Sequence, residues 1–293
     1  TFEKISRQID WAPEPLDGQP VQISPLQAST RIKGFARFLG ADLVGCTRLN
    51  PAYIYSKIGR SPGPWGESIV LEHSHAVAIA VEMSAEMISQ APDSAATTET
   101  AFEYFEVGKI AMILTRYINL LGYQARAHVD GNYRVMCVPI AADAGLGELG
   151  RIGLLLTPRF GPRIRLAIVT TDLPLQPDPP ICFGVQHFCE ICKKCATNCP
   201  SGSIEKEGKA DFCGVEKWQN RQDTCYRFWR TQGTDCSICI RVCPYSHPNS
   251  AIHNLVRWFV GRNALARKLM LWADDLFYGR RPRGKQRLPD WHA

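Results

Sequence analysis

Apolar positions along the chain fall into a few short runs and one long amphipathic segment, which predicts a mixed α/β layout. Ile32, Phe35, Ala36 and Leu39 recur at helical spacing behind Ser29-Thr30, predicting a capped helix over 29–39. Residues 76–81, AVAIAV, are short, apolar and partly β-branched, and read as a buried strand. The longest helical pattern covers 99–121, where Phe102, Phe105, Ile110, Ile113, Leu114, Ile118 and Leu121 recur before a stop at Gly122. A strand near 124–129, a turn at Asp130-Gly131-Asn132 and a buried strand over 164–171 follow. Residues 1–28, with Pro13, Pro15, Pro20 and Pro25, read as an extended arm, and 59–68 as a loop. Pro174, Pro177, Pro179 and Pro180 mark a boundary. Beyond it, 181–250 is mostly loop, and 251–278 turns helical again.

This pattern divides the chain into an arm at 1–28, an α/β domain at 29–180, a cysteine-rich module at 181–250 and a helical, basic tail at 251–293. A length of 293 residues with 45% apolar residues excludes wholesale disorder and fibrous folds. No apolar stretch reaches the roughly 18 residues that span a bilayer. No basic-then-apolar leader is visible, but the chain begins at Thr1, so a removed leader stays open. The expected setting is soluble or peripherally membrane-associated, and cytoplasmic unless a leader was removed. Charge sharpens the picture. The net +6 lies wholly in residues 257–293, which hold 9 basic and 3 acidic residues, while 1–256 holds 25 of each. A nucleic-acid surface would spread its basic residues over the domain, so no nucleic-acid partner is expected.

Nine of the 12 cysteines lie between Cys189 and Cys243. Cys46, Cys137 and Cys182 lie outside this cluster. Such density inside a large chain favours metal over a disulfide scaffold. The runs are Cys189-x2-Cys192-x2-Cys195-x3-Cys199-Pro200 and Cys236-x2-Cys239-x3-Cys243-Pro244. The first has the bacterial ferredoxin spacing for [4Fe–4S] clusters, in which the fourth cysteine ligates the other cluster. That exchange assigns Cys189, Cys192, Cys195 and Cys243 to one cluster, and Cys199, Cys236 and Cys239 to the other. The eighth ligand is Cys213 or Cys225. Two zinc sites would also want eight ligands, but this spacing is unusual for zinc. Some 180 residues precede the clusters, more than a simple electron carrier needs, so they should hold an electron acceptor. No GxGxxG follows a strand, and a Rossmann nucleotide site is not indicated.

Residues 139–174, PIAADAGLGELGRIGLLLTPRFGPRIRLAIVTTDLP, resemble the corrinoid-binding core of the reductive dehalogenases and, more distantly, of the epoxyqueuosine reductases. Together with the cysteine runs and CYRFW at 225–229, the resemblance covers roughly 70–250. It implies an α+β fold: a nitroreductase-like corrinoid-binding domain joined to a ferredoxin-like module with two [4Fe–4S] clusters. It also selects Cys225 over Cys213. It implies cobalamin bound base-off beside Gly145, Leu146, Gly147, Gly150 and Arg151, and the glycines, with Gly153, would let backbone approach a flat macrocycle closely. The family's tyrosine proton donor falls on Tyr104. Its cationic neighbour falls on Arg165, with Arg163 the rival. Asn132 matches the family asparagine, although the chain runs two residues longer here than the family's Ser-Gly-Asn-Asp. Asp130 matches the aspartate that donates the proton in the epoxyqueuosine reductases.

The implied activity is reductive dehalogenation of a small organic substrate. Electrons would come from a low-potential donor (a ferredoxin, a flavodoxin or a quinol-linked protein). Alternatives are a reductase of the same superfamily acting on a non-halogenated substrate such as an epoxyqueuosine-type epoxide, and a non-catalytic iron–sulfur subunit. The charge-neutral body speaks against a tRNA substrate. In the tail, Leu255, Trp258, Phe259, Leu265, Leu269, Met270 and Trp272 are interleaved with Arg257, Arg262, Arg267 and Lys268. We expect this helix to pack on its own domain with its arginines in solvent. A peripheral contact with a membrane or a membrane subunit is the second reading.

Overall fold

The structure, a computed structural model, describes residues 19–59 and 64–282. The N-terminal arm and the loop expected at 59–68 therefore lie partly outside the described residues. In chain order the elements are α1 (Pro25–Phe38), β1 (Leu43–Arg48), β2 (His75–Glu82), α2 (Ala85–Ile88), α3 (Ser94–Leu120), β3 (Ala125–His128), α4 (Cys137–Asp143), β4 (Glu148–Leu149), β5 (Leu155–Leu156) and β6 (Ile164–Thr171). The cysteine-rich part adds α5 (Val185–Cys192), α6 (Lys194–Asn198), β7 (Ala210–Phe212), β8 (Val215–Lys217), α7 (Gln222–Gln232) and α8 (Ile238–Arg241). The tail forms α9 (Ala251–Arg262) and α10 (Ala264–Phe277). The chain separates into two compact units. The first takes Thr1–Glu82, Ala101–Leu146 and Arg165–Ile181, and the second Met83–Thr100, Gly147–Ile164 and Cys182–Ala293.

In the first unit, a four-stranded sheet has the order β1-β2-β6-β3. β1 pairs antiparallel with β2 from Leu43↔Ala80 to Arg48↔His75, and β3 pairs antiparallel with β6 from Ala125↔Thr171 to His128↔Ile168. Its core joins Val77 and Ile79 of β2 and Ala167 and Val169 of β6 to Ile32 and Ala36 of α1 and to Val107, Ile110, Leu114 and Ile118 of α3. α1 starts four to five residues earlier than expected. Ser24 and Gln27 form a reciprocal capping box, and Pro25 occupies the first helical position, where its missing N–H costs nothing. Ser29 is not a cap: its hydroxyl bonds the backbone of Gln176. On α3 the buried stripe is narrower than expected. Phe102, Phe105 and Ile113 lie off it and are exposed. Asp178 closes the unit, accepting Lys33 Nζ at 2.7 Å and Cys46 N at 2.9 Å.

The second unit is built on the β4–β5 hairpin and short helices, around Ile152, Leu156, Val185, Phe188, Trp218, Tyr245, Val260 and Leu271. Val260 of α9 and Leu271 of α10 bury one side of the tail, as expected. Its arginines are not all in solvent, however. Arg257 is buried and bonds the carbonyl of His247, and Arg267 Nε donates to Val260 O at 2.9 Å. The opposite side, with Leu255, Trp258, Phe259, Leu265, Leu269 and Trp272, is exposed. Among the described residues no helix is long and apolar enough to cross a membrane.

Two glycines of the first unit test this packing against each other. A Cβ on Gly45 of β1 would stand 2.1 Å from the carbonyl oxygen of Ala144, whereas a Cβ on Gly34 of α1 meets nothing within 4 Å. We expect Gly45→Ala to cost about 3 kcal/mol, the upper end of core overpacking. Gly34→Ala should stabilise by up to about 1 kcal/mol, as for any exposed helix interior. Urea denaturation of both variants measures this, and equal midpoints would contradict it.

Candidate functional site

The two cysteine runs owe their shape to backbone that leaves the helical region at fixed points. α5 carries Cys189 and Cys192 one turn apart. Lys193 then takes a left-handed conformation (φ 56°), and α6 restarts at Lys194 to present Cys195. In the second run Cys236 and Ser237 are both left-handed (φ 53° and 50°) ahead of α8, which carries Cys239. Left-handed backbone costs an L-residue about 1–2 kcal/mol, so both turns are held by their surroundings. Glu148 accepts the N–H groups of Phe183 at 2.6 Å and Val185 at 3.3 Å and anchors the start of α5. Lys194, buried at 3% exposure, is ion-paired with Asp274 and, at 2.8 Å, with Asp275, and donates to Gly279 O at 3.0 Å.

Cys189, Cys192, Cys195 and Cys243 line one cavity together with Arg151 and Tyr245. Burial pushes Cys189 up to about 11 and Cys192 to about 12. Burial first, then Cys189, Cys192 and Cys195, raise Cys243 well above the ordinary thiol range. Cys199, Cys225, Cys236 and Cys239 form the second group. After burial, Cys225 feels Cys199 and Cys236, and Cys239 feels Cys236, Cys225 and Cys199. Cys195 also feels Cys239, so the two groups are neighbours. Cys199 differs: its partial burial is outweighed by hydrogen bonds from Ser201 and Ser203, each at 3.3 Å, and its thiol falls below the ordinary range. Cys213 lies apart, exposed in the β7–β8 turn. Among the described residues no three metal-binding side chains converge on a point that would hold a single ion. A [4Fe–4S] cubane asks for a different arrangement, four thiolates around a larger core. Four buried or partly buried thiols lining one cavity, with a tyrosine that also lines it and whose hydroxyl meets no protein partner, fit that group.

The expected corrinoid stretch has another environment. Gly145 is left-handed (φ +76°), and a Cβ there would meet the Pro179 carbonyl oxygen at 2.6 Å. A Cβ on Gly147 would meet Leu156 O at 2.1 Å, and one on Gly150 would meet Leu156 Cδ1 at 2.3 Å. Their own chain therefore explains these glycines, and they form no vacant cradle for a macrocycle. Leu146 is buried. Arg151 is 1% exposed: Nε donates to Cys189 O at 3.0 Å, Nη1 to Glu205 O at 2.7 Å and Glu207 O at 3.1 Å, and its plane lies 4.5 Å over Trp218. It braces the first cysteine run.

Tyr104, Asp130 and Arg165 do come together, in the first unit. The Arg165 guanidinium stands 4.8 Å over the Tyr104 ring, close enough for a cation–π contact. Arg163, its sequence rival, is 1% exposed and holds the carbonyls of Met83, Ser246 and His247 in the second unit. The residue that sequence reasoning missed is Tyr133. Burial raises its phenol well above the ordinary range. Tyr104, Cys137 and Asp130 raise it further, and Arg165 opposes them, so the whole group surrounds Tyr133. Its adjacency to the Asp130-Gly131-Asn132 turn was the available signal. Asn132, 2% exposed, accepts Arg126 Nη2 at 2.7 Å and holds that turn.

Behind the turn, His128 Nδ1 accepts the Arg134 N–H at 3.1 Å, so the ring proton belongs on Nε2, 2.8 Å from Thr170 Oγ1. His73 Nδ1 lies 2.8 Å from the same hydroxyl. Burial first, then positive charge on Arg126, His73 and Arg134, hold His128 well below the ordinary imidazole range. The unfolded chain takes up a proton near pH 6.5 that the folded chain refuses. Stability should therefore fall as pH drops below about 6.5, by up to about 1.4 kcal/mol per pH unit for this group. Urea denaturation from about pH 7.5 to 5.5 measures it. His128→Gln should flatten part of the slope, and an unchanged slope would contradict the assignment.

No protein-family model matches the chain. It is 35% identical over 305 residues to the tetrachloroethene reductive dehalogenase of Sulfurospirillum multivorans, covering 92% of this chain and 60% of that protein. It is 33% identical to the tetrachloroethene reductive dehalogenase of Dehalobacter restrictus, covering 79% of this chain and 50% of that protein. The chain thus spans between half and three-fifths of the length of these relatives. Among solved structures, the catabolic reductive dehalogenase NpRdhA in complex with 3-bromo-4-hydroxybenzoic acid superposes with a TM-score of 0.87 at 28% identity, over 95% of this chain and 41% of that one. A reductive dehalogenase reported with a mechanism for B12-dependent dehalogenation gives a TM-score of 0.85. An epoxyqueuosine reductase bound to a tRNA stem loop shares the fold at a TM-score of 0.53 and 20% identity. The chain is a homologue of the reductive dehalogenases and has their fold.

Proposed function

We propose that the chain carries the reducing centre of a reductive dehalogenase-type enzyme, with a nitroreductase-like domain and a ferredoxin-like module. Cys189, Cys192, Cys195 and Cys243 would hold one [4Fe–4S] cluster, and Cys199, Cys225, Cys236 and Cys239 the other. When bound, the clusters supply single electrons taken from an external low-potential donor such as a ferredoxin or flavodoxin. A corrinoid is proposed on the family likeness alone. Gly145, Gly147 and Gly150 are taken up by packing and Arg151 by the cysteine loop, so no seat for the corrinoid is assigned to them and no step is routed through it.

The substrate class is a small organohalide. Its carbon–halogen bond breaks, two electrons and one proton enter, and halide leaves. The protein's part is the proton. Tyr104 Oη donates it to the carbon, and Arg165 over the ring stabilises the tyrosinate that forms. Tyr133 packs in the same group. The observation that carries this reading is the guanidinium 4.8 Å over the Tyr104 ring, in a homologue of dehalogenases.

We expect Tyr104→Phe to keep the iron content of the wild type and to lower dehalogenation by about 10²–10⁴-fold, the usual worth of general acid catalysis. Turnover of halogenated phenols and ethenes with a low-potential donor measures it. Undiminished turnover would remove Tyr104 from the mechanism. If the same assay on Asp130→Asn showed the loss instead, the proton would be Asp130's and the chemistry closer to the epoxide reductases.

A further inference from the structure

The cavity bordered by Cys189, Cys192, Cys195 and Cys243 is also lined by Tyr245. Tyr245 is 3% exposed, and its ring stands edge-on to Phe188 at 5.1 Å and to Phe183 at 5.9 Å. Pro244 and the turn Pro244–Ser246 fix the backbone beneath it. These contacts hold the phenol in one place. Its Oη is buried and meets no hydrogen-bond partner in the protein. A buried hydroxyl left unpaired costs about 1–3 kcal/mol, so such a group implies an acceptor at the site. The neighbouring cations are already engaged. Lys194 is held by Asp274, Asp275 and Gly279 O, and Arg151 Nε and Nη1 by the carbonyls of Cys189, Glu205 and Glu207.

We propose that Tyr245 Oη donates a hydrogen bond to the sulfur of the iron–sulfur centre held by Cys189, Cys192, Cys195 and Cys243, and so raises the reduction potential of that centre relative to an undonated one. The inference rests on the cluster assignment above. Its physical basis is that the added electron increases negative charge on the sulfurs. A donor aimed at them binds the reduced state more tightly and favours reduction. The second centre has its own donors, Ser201 and Ser203 on Cys199, and is untouched by this one. Tyr245 thus sets the two potentials apart.

The test uses reconstituted wild type and Tyr245→Phe, which keeps the ring contacts and removes only the donor. Iron is counted and both centres are titrated by EPR. We expect equal iron and one couple whose reduction equilibrium falls roughly tenfold, about 59 mV for a one-electron step, with the other couple unmoved. Two intact centres with unmoved potentials overturn this proposal alone. Absence of iron–sulfur centres from the wild type overturns the function on which it rests as well. Should phenylalanine disturb loading, the wild type decides. ENDOR of its reduced centre in D2O, with ring-deuterated tyrosine, should show both an exchangeable hydrogen and tyrosine ring deuterons coupled to the cluster. Absence of either coupling overturns the hydrogen bond.

Discussion

A guanidinium cannot shed its charge by deprotonating, so burying one obliges the fold to surround it with fixed acceptors. Arg151 meets that obligation with three backbone carbonyls, those of Cys189, Glu205 and Glu207, and with the face of Trp218. These acceptors come from the first cysteine run and from the segment after it, so a single side chain ties both to the β4–β5 hairpin. Lys194 does the same from the other side, with Asp274 and Asp275 of α10. The left-handed turns at Lys193, Cys236 and Ser237 are unfavourable by themselves. Arg151 and Lys194 fix the loop around Lys193, and the turn at Cys236 and Ser237 follows Asp235, whose N–H donates to Thr97 Oγ1 at 3.0 Å. The shape of the first cysteine run is thus a consequence of cation burial as much as of cysteine spacing.

The same logic separates two arginines that look interchangeable in Gly-Pro-Arg-Ile-Arg. Arg163 is fully buried and bonded to carbonyls, and its role is structural. Arg165 keeps its guanidinium over the Tyr104 ring, where it can answer a developing negative charge. Around that pair the neutral His128, Thr170 and Asn132 hold the turn that brings Asp130 and Tyr133 to the group. Partners so fixed hold the position of the turn beside the proton donor proposed at Tyr104.

Much of this was legible in the sequence, for identifiable reasons. β6 follows directly from the apolar run at 164–171, because a strand buried on both faces needs no partner to be recognised. The meeting of Cys189, Cys192, Cys195 and Cys243 at one cavity is the grouping that ferredoxin spacing predicts. The choice of Cys225 over Cys213 needed the family resemblance; Cys213 is exposed in the β7–β8 turn, whereas Cys225 on α7 is half-buried. Other features were hidden because they depend on distant segments. The start of α1 was misread because Ser29 and Ser24 are equally good caps by type, and only the contact with Gln176 takes Ser29 away. The glycines at 145–150 were read as a cradle for a flat ligand, but their missing side chains make room for Pro179 and Leu156. Tyr133 and Tyr245 sit beside recognised motifs, yet their burial is a tertiary property that no local pattern carries.

The proposed function requires that eight thiols form two quartets, each around a cubane. Mössbauer spectroscopy with an iron count on the anaerobically reconstituted chain tests it most directly. The account expects about eight irons per chain, all in [4Fe–4S]²⁺ doublets. About four irons, or a chain that takes up zinc in place of clusters, would contradict it.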